Sequence, residues 1–217
     1  MMYSGFKGFI FDMDGTLLNT LPDMVLITNE VLELEGFPPH TDEEILTFVG
    51  DGVKSLILQA IPDGASDEQV NRIVANFRSH YSDHGVNLSK QFDGMEDVLA
   101  QLKQQGKKLG IMSNKFEAGV FAVRDRYFPG LFDAAHGESD VIPRKPDPTG
   151  ILACVEEMGL TPNECIYFGD SHGDMLAAHN AGVTACAVKW GYQPLAMLES
   201  AQPDAWAETP QDILKFA

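Results

Sequence analysis

Residues 9–14, Phe-Ile-Phe-Asp-Met-Asp, constrain this chain more than any other stretch. An apolar run ends abruptly at two aspartates, and Gly15 and Thr16 then turn the chain. A short apolar run bounded by turn residues predicts a strand buried on both faces of a parallel sheet. Carboxylates at the end of such a strand lie in the crevice where open α/β sheets bind ligands. Period-two alternation sends Asp12 and Asp14 to one side and Met13 to the other. Like charges this close repel, so the pair calls for a cation or a shared proton.

The next stretch has a different rhythm. Leu21, Met24, Val25, Val31 and Leu32 fall on one helical face, which Gly36, Phe37 and Pro38-Pro39 end. Asp42 is read as the cap of a short helix ending before Gly50, and residues 53–61 as a third helix. Ser66 with Gln69 forms a capping-box pattern, followed by a stripe of Val70, Ile73, Val74, Phe77 and Tyr81. No strand is predicted between 21 and 88. From residue 89 strands and helices alternate: helix from Met95 to Gly106, strand at 109–112, helix 116–127, strand near 132–135, helix 149–158, strand 165–168, helix 173–181 and strand 184–188. That alternation implies right-handed βαβ crossovers and a parallel sheet. The expected fold is therefore α/β, a Rossmann-like core (1–16 and 89–217) interrupted by an all-helical cap (17–88).

A chain of 217 residues can bury a substantial core. Its net charge of −17 argues against nucleic acid or an anionic membrane as partner. An anionic substrate would then need a local positive charge that the surface lacks. Cys154, Cys165 and Cys186 follow no metal or disulfide spacing and are read as small buried hydrophobes. With no signal-like N-terminus and no membrane-length apolar run, the expectation is a cytoplasmic protein, monomeric or weakly dimeric.

Polar residues gather where the strands end. The first strand closes in Asp12 and Asp14, the strand at 109–112 in Ser113-Asn114-Lys115, and the strand at 165–168 in Gly169-Asp170, with Asp174 beyond. Arg144-Lys145-Pro146 precedes a helix. In a parallel sheet all strand C-termini face one edge, so these groups can converge. The four segments, in this order and with a cap-sized insertion after the first, resemble the haloacid dehalogenase-like hydrolases with a helical cap. The resemblance implies that Asp12 is a nucleophile and Asp14 a general acid and base. It implies that Ser113 and Lys145 hold phosphoryl oxygens, with Gly15, Thr16 and Asn114 nearby. It also implies that Asp12, Asp14, Asp170 and Asp174 form an acidic group for Mg²⁺. Anion attacking anion requires charge neutralisation, and hard oxygen ligands suit Mg²⁺. The expected activity is hydrolysis of a small phosphorylated metabolite through an aspartyl-phosphate.

Val49-Gly50-Asp51-Gly52, Leu21-Pro22-Asp23 and Trp190-Gly191-Tyr192 resemble the phosphoglycolate phosphatase-like branch. Gly50, Asp51 and Gly52 are accordingly candidates for a cap loop that dips towards the substrate, although an ordinary turn between helices reads almost as well. Dehalogenases lack the second aspartate, and phosphonatases need a cap lysine, for which Lys54 is the nearby candidate. Related mutases carry a histidine where this chain has Met24. A non-enzymatic Mg²⁺- or phosphate-binding regulatory module is the alternative from another class; the full acidic set and the inserted helices weigh against it.

Overall fold

Alternation along the first strand sets the layers of the molecule. The structure is a computed structural model that describes residues 4–84 and 87–217. In β1 (Gly8–Phe11) the side chains of Phe9 and Phe11 enter one hydrophobic layer and Ile10 the other. Every residue of this strand is buried, as expected for a strand covered on both faces. β1 pairs in parallel with β4 (Lys108–Phe116) on one side and β6 (Cys165–Gly169) on the other. β5 (Ala134–Glu138) flanks β4, while β7 (Thr184–Val188) and β8 (Ala205–Ala207) extend the other edge. The six strands run in the order β5-β4-β1-β6-β7-β8, with every pairing parallel. The strand order reverses beside β1, between β4 and β6, which is where ligand crevices form in such sheets.

Helices α5 (Met95–Gln104), α6 (Glu117–Tyr127), α7 (Thr149–Glu157) and α8 (His172–Asn180) connect the core strands, and a short α9 (Leu195–Ser200) precedes β8. Ile10, Tyr167, Ala185 and Ala187 pack with α7 and α8, whereas Phe9, Phe11, Ile111 and Phe168 build the opposite layer. The Phe11 and Phe168 rings stack at 5.1 Å between centroids, so two adjacent strands share an aromatic contact directly beneath the strand ends. All three cysteines are buried and free.

Four helices lie between β1 and the rest of the core: α1 (Leu21–Leu34), α2 (Asp42–Phe48), α3 (Gly52–Ala60) and α4 (Asp67–His84). Their apolar stripes, including Ile27, Val31, Ile57, Ile73 and Phe77, join the same buried cluster as Phe9 and Phe11. Thr41, not Asp42, caps α2: its hydroxyl accepts from the Glu44 amide while Glu44 reaches back to the Thr41 amide. Asp42 instead opens the helix, where its charge favours the positive end of the helix dipole. A two-residue ribbon, β2 (Leu18–Asn19) against β3 (Lys90–Gln91), ties the outgoing and returning chain together. Both strands are too short to carry a period, and β8 is a three-residue edge strand, so none stands out in the sequence.

Asp23 secures this junction. Its buried carboxylate accepts from the amides of Leu88 and Ser89 and from the Ser89 hydroxyl. Removing it strands three donors, two of them on the backbone of the returning segment. Asp23→Ala is expected to destabilise the protein by about 3 kcal/mol, read by chemical denaturation. A loss below about 0.5 kcal/mol would show that the clamp contributes nothing. Among the described residues, no helix is long and apolar enough to cross a membrane.

Candidate active site

The C-terminal ends of β1, β4 and β6 open into one cavity. Asp12, Asp14, Ser113, Asn114, Lys145 and Asp170 line it. Asp12 follows β1 directly, and its amide donates to the Phe168 carbonyl, which continues the sheet pairing to the strand's end. The chain then reverses at Gly15, whose φ of +85° suits glycine. A β-carbon at Gly15 would stand 2.3 Å from Oδ2 of Asp170, so this turn also makes room for a carboxylate from β6.

Lys145 is the hub of the site. Its buried ammonium donates to Oδ1 of Asp12 at 2.7 Å and to Oδ1 of Asp174 at 2.6 Å. It also reaches the Tyr167 hydroxyl at 3.2 Å and the Met112 carbonyl at 3.4 Å. Burial alone would disfavour the charge, but the attraction of Asp12 and Asp174 outweighs it and holds the lysine above its ordinary range. Its position is fixed from the backbone as well, since its amide donates to Oδ1 of Asn114 at 2.8 Å.

Asp174 is completely buried. Oδ1 accepts from Lys145 and Tyr167, and Oδ2 accepts from the amide and hydroxyl of Ser171. The Ser171 hydroxyl accepts in turn from the Asp174 amide, closing a capping box at the start of α8. Asp174 therefore spends both oxygens on the protein. Asp170 is held by the Tyr192 amide at 2.6 Å and more loosely by the Thr16 hydroxyl at 3.4 Å.

Asp12, Asp170 and Asp174 form a group in which one carboxylate oxygen from each lies within 4.8 Å of the others. All three are buried, and the donor set is wholly carboxylate oxygen, which suits a hard divalent cation. Burial raises the carboxyl of Asp12 to about 6, opposed by Lys145 and assisted by Asp174 and Asp14. Burial, with repulsion from Asp12 and Asp174, holds Asp170 well above the carboxylate range. Both shifts describe acidic groups that need a further positive charge, and the residues fit a cation there. Asp14, expected in the same metal set, lies outside this group: Oδ1 accepts from Thr20 at 2.7 Å and Oδ2 pairs with Lys115 at 2.9 Å.

The raised carboxyls carry a sign for stability. Asp12 and Asp170 bind protons more tightly folded than unfolded, so their contribution is complete at low pH and is lost as pH rises through the folded pKa. For Asp12 this amounts to about 2–3 kcal/mol across roughly pH 4 to 7. The metal-free protein is expected to lose melting temperature between about pH 5 and pH 7, and Mg²⁺ to restore more at pH 7 than at pH 5. Calorimetry in EDTA and in Mg²⁺ checks this; a Mg²⁺ effect equal at both pH values would contradict it.

The other expected residues divide. Ser113 and Asn114 lie on the cavity wall, at an irregularity where β4 slips against β5 between Met112 and Phe116. The strand runs on to Phe116 and α6 starts at Glu117, so neither residue caps that helix. Thr16 and Gly15 shape the turn behind Asp170 and do not line the cavity. Gly50 and Gly52 do line it, with Asn114 donating to the Gly50 carbonyl at 2.9 Å, whereas the Asp51 side chain lies off the wall. The Asp51 carbonyl accepts from Arg144, so the loop is fastened to the core from two neighbouring segments.

The sequence places Lys115 among the polar groups at a strand end without a role of its own, and gives Tyr167 and Tyr192 no place in the site. Tyr167 is the second residue after Cys165 on β6 and points to the lysine, a role no local pattern announces. The Tyr192 hydroxyl accepts from the amides of Thr20 and Leu21 and donates to Oδ1 of Asn19. With Trp190 donating to the Thr16 carbonyl, residues 190–192 brace the whole turn after β1.

A parallel α/β core with a carboxylate and lysine cluster at its topological switch defines a doubly wound protein with a candidate ligand site at the strand ends. Residues 9–188 match the haloacid dehalogenase-like hydrolase family, and the chain belongs to it. It is 32% identical to a phosphoglycolate phosphatase of Mannheimia succiniciproducens, over 99% of this chain and all of that one. It is 28% identical to an N-acetylmuramic acid 6-phosphate phosphatase of Pseudomonas aeruginosa, over 86% of this chain and 83% of the relative. Its fold is similar to that of a Lactobacillus delbrueckii protein provisionally described as a phosphoglycolate phosphatase, with a TM-score of 0.88, 32% identity and coverage of 96% and 97% of the two chains.

Proposed function

We propose that this protein is a Mg²⁺-dependent phosphatase acting on a small phosphate monoester, with phosphoglycolate as the leading candidate. The observation that carries the reading is the Lys145 hub, which holds Asp12 and Asp174 while Asp170 completes the acidic group beside them. In this reading an oxygen of Asp12 attacks phosphorus, a bond forms between them, and the bond from phosphorus to the ester oxygen breaks. Asp14 gives the leaving alkoxide its proton, then takes one from the water that attacks phosphorus and releases Asp12. Ser113 donates to a phosphoryl oxygen, and Lys145 balances charge on the transferring group and keeps Asp12 oriented. Asp12 and Asp170 would hold Mg²⁺ directly, with Asp174 orienting the lysine and reaching the cation only through water, since its oxygens already accept four hydrogen bonds. When bound, Mg²⁺ supplies positive charge against the phosphoryl oxygens.

Residues 17–88 act in this reading as a cap over the phosphate site, the β2–β3 ribbon being where it joins the core. Gly50 and Gly52 bring its loop onto the cavity. Met24 lines the cavity where related mutases carry histidine, so this position has no proton carrier, which favours hydrolysis over phosphoryl shuttling. The two named relatives act on phosphoglycolate and on a phosphorylated amino sugar, so the substrate is tested by a screen. Phosphate release from phosphoglycolate, N-acetylmuramic acid 6-phosphate, hexose phosphates and nucleotides, with Mg²⁺ and with EDTA, is expected to show metal-dependent turnover greatest on the smallest ester. Turnover unaffected by EDTA, or none on any ester, would contradict the reading.

A further inference from the structure

Lys115 is the buried cation that the proposed chemistry leaves without a task. Two ammonium groups line the cavity among the described residues, Lys115 and Lys145. Lys145 is committed to Asp12, Asp174, Tyr167 and the Met112 carbonyl. Lys115 comes from the irregular end of β4 and reaches to the side of the cavity that the inserted helices close. Its ammonium pairs with Asp14 at 2.9 Å and lies 4.6 Å from the centroid of the Tyr81 ring on α4. Its side chain is 5% exposed. Tyr81 brings a buried hydroxyl to the same place.

The surroundings explain what such a cation is for. The wall beside it is apolar, built from Met24, Val49, Val53, Leu56 and Phe77. An ammonium carries three donors, of which Asp14 takes one and the Tyr81 face attracts another. A charge in so dry a place is costly to leave under-used and interacts strongly with any anion that enters. Among the described residues that line the cavity, no side chain other than Lys145 carries a further positive charge, so Lys115 is the ionic partner left for a second negative charge. The ester oxygen must come to Asp14 in the proposed reaction, so the group attached to it arrives at the Lys115 ammonium.

We infer that Lys115 is a specificity residue that binds an anionic group on the leaving half of the substrate, so that the site selects short phosphate esters carrying a carboxylate over uncharged esters of the same shape. The inference rests on the phosphatase reading for its substrate. It separates Lys115 from a simple counter-charge to Asp14, because a counter-charge would serve charged and uncharged leaving groups alike.

The test uses matched pairs. Phosphoglycolate and ethyl phosphate differ in a carboxylate against a methyl group, and 3-phosphonopropionate and propylphosphonate, with a methylene in place of the ester oxygen, are the corresponding unhydrolysable pair. The wild-type protein in Mg²⁺ is expected to prefer the carboxylate member of each pair by at least about 30-fold, in kcat/KM for the esters and in calorimetric affinity for the phosphonates. Lys115→Met and Lys115→Gln are expected to erase most of that preference. Equal handling of both members by the wild type overturns the inference without any variant. A preference that survives both substitutions, with the two members weakened together, also overturns it and leaves Lys115 as the neighbour of Asp14 alone. Failure of the phosphatase reading looks different: neither ester turns over, while the phosphonate pair still decides whether Lys115 selects the carboxylate.

Discussion

Asp12→Asn is expected to lower kcat on the order of 10⁴-fold or more on any ester the wild type hydrolyses, while leaving the fold intact. An amide of the same shape cannot attack phosphorus. The substitution also removes a charge that burial and the neighbouring Asp174 and Asp14 already penalise, as the rise of the Asp12 carboxyl to about 6 records. Lys145 keeps Asp174 as a partner at 2.6 Å, so no buried ammonium is stranded. The melting temperature of the metal-free variant should therefore equal or exceed that of the wild type, and the rise produced by Mg²⁺ should shrink because one of the three carboxylates is gone. Steady-state kinetics with calorimetry reads both effects. Activity within tenfold of wild type would remove Asp12 from the chemistry.

Lys145→Met is the second large effect and has the opposite signature. It leaves the buried carboxylates of Asp12 and Asp174 facing each other with no counter-ion, a loss of about 3–5 kcal/mol near neutral pH. The loss depends on pH in a defined direction. Without the lysine, whose charge opposes the rise, the Asp12 carboxyl is pushed further above its unfolded value, so the folded state holds a proton that the unfolded state releases, and stability falls as pH rises. The difference between variant and wild type should be smallest near pH 5 and grow towards pH 8. Turnover should fall by at least about 10³-fold, because charge balance on the phosphoryl group and the orientation of Asp12 are lost together. Urea denaturation at several pH values measures the first effect. A pH-independent difference below about 1 kcal/mol would mean that the two ion pairs contribute nothing.

The strand-end chemistry is legible in the sequence because each apolar run stops at its polar residue. Phe9-Ile10-Phe11 stops at Asp12, and Cys165-Ile166-Tyr167-Phe168 leads through Gly169 to Asp170. A parallel sheet then brings those ends together whatever the distance along the chain. The helices of 21–84 follow from stripes at helical spacing, and the Ser66 cap from its pattern with Gln69, whereas α2 is capped by Thr41 and not by the neighbouring Asp42. Contacts made across the fold were not legible. Lys115 stands in Ser-Asn-Lys as an ordinary basic residue, and only the slip in β4 turns it towards Asp14. Tyr167 reads as one more bulky strand residue, although its hydroxyl bridges Lys145, Asp174 and the Met112 carbonyl. Asp174 reads as a member of the acidic group that binds a metal either directly or through water, and the sequence does not show that the capping box at Ser171 takes one of its oxygens. The three shortest strands have no period to detect, and each is held by a neighbour distant in sequence.

The paired aspartates that end β1 thus divide their surroundings. Asp12 faces a lysine and two further carboxylates, and Asp14 faces Thr20 and a second lysine. That division underlies the assignment of attack to the first and proton transfer to the second. It is tested most directly by rapid acid quench of the enzyme turning over a phosphate-labelled ester in Mg²⁺, followed by peptide mapping of the label. The account predicts a phosphate, stable to acid and released by hydroxylamine, on the peptide that carries Asp12, and none in Asp12→Asn. Turnover without a labelled enzyme on the millisecond scale, or a label on any other residue, would contradict it.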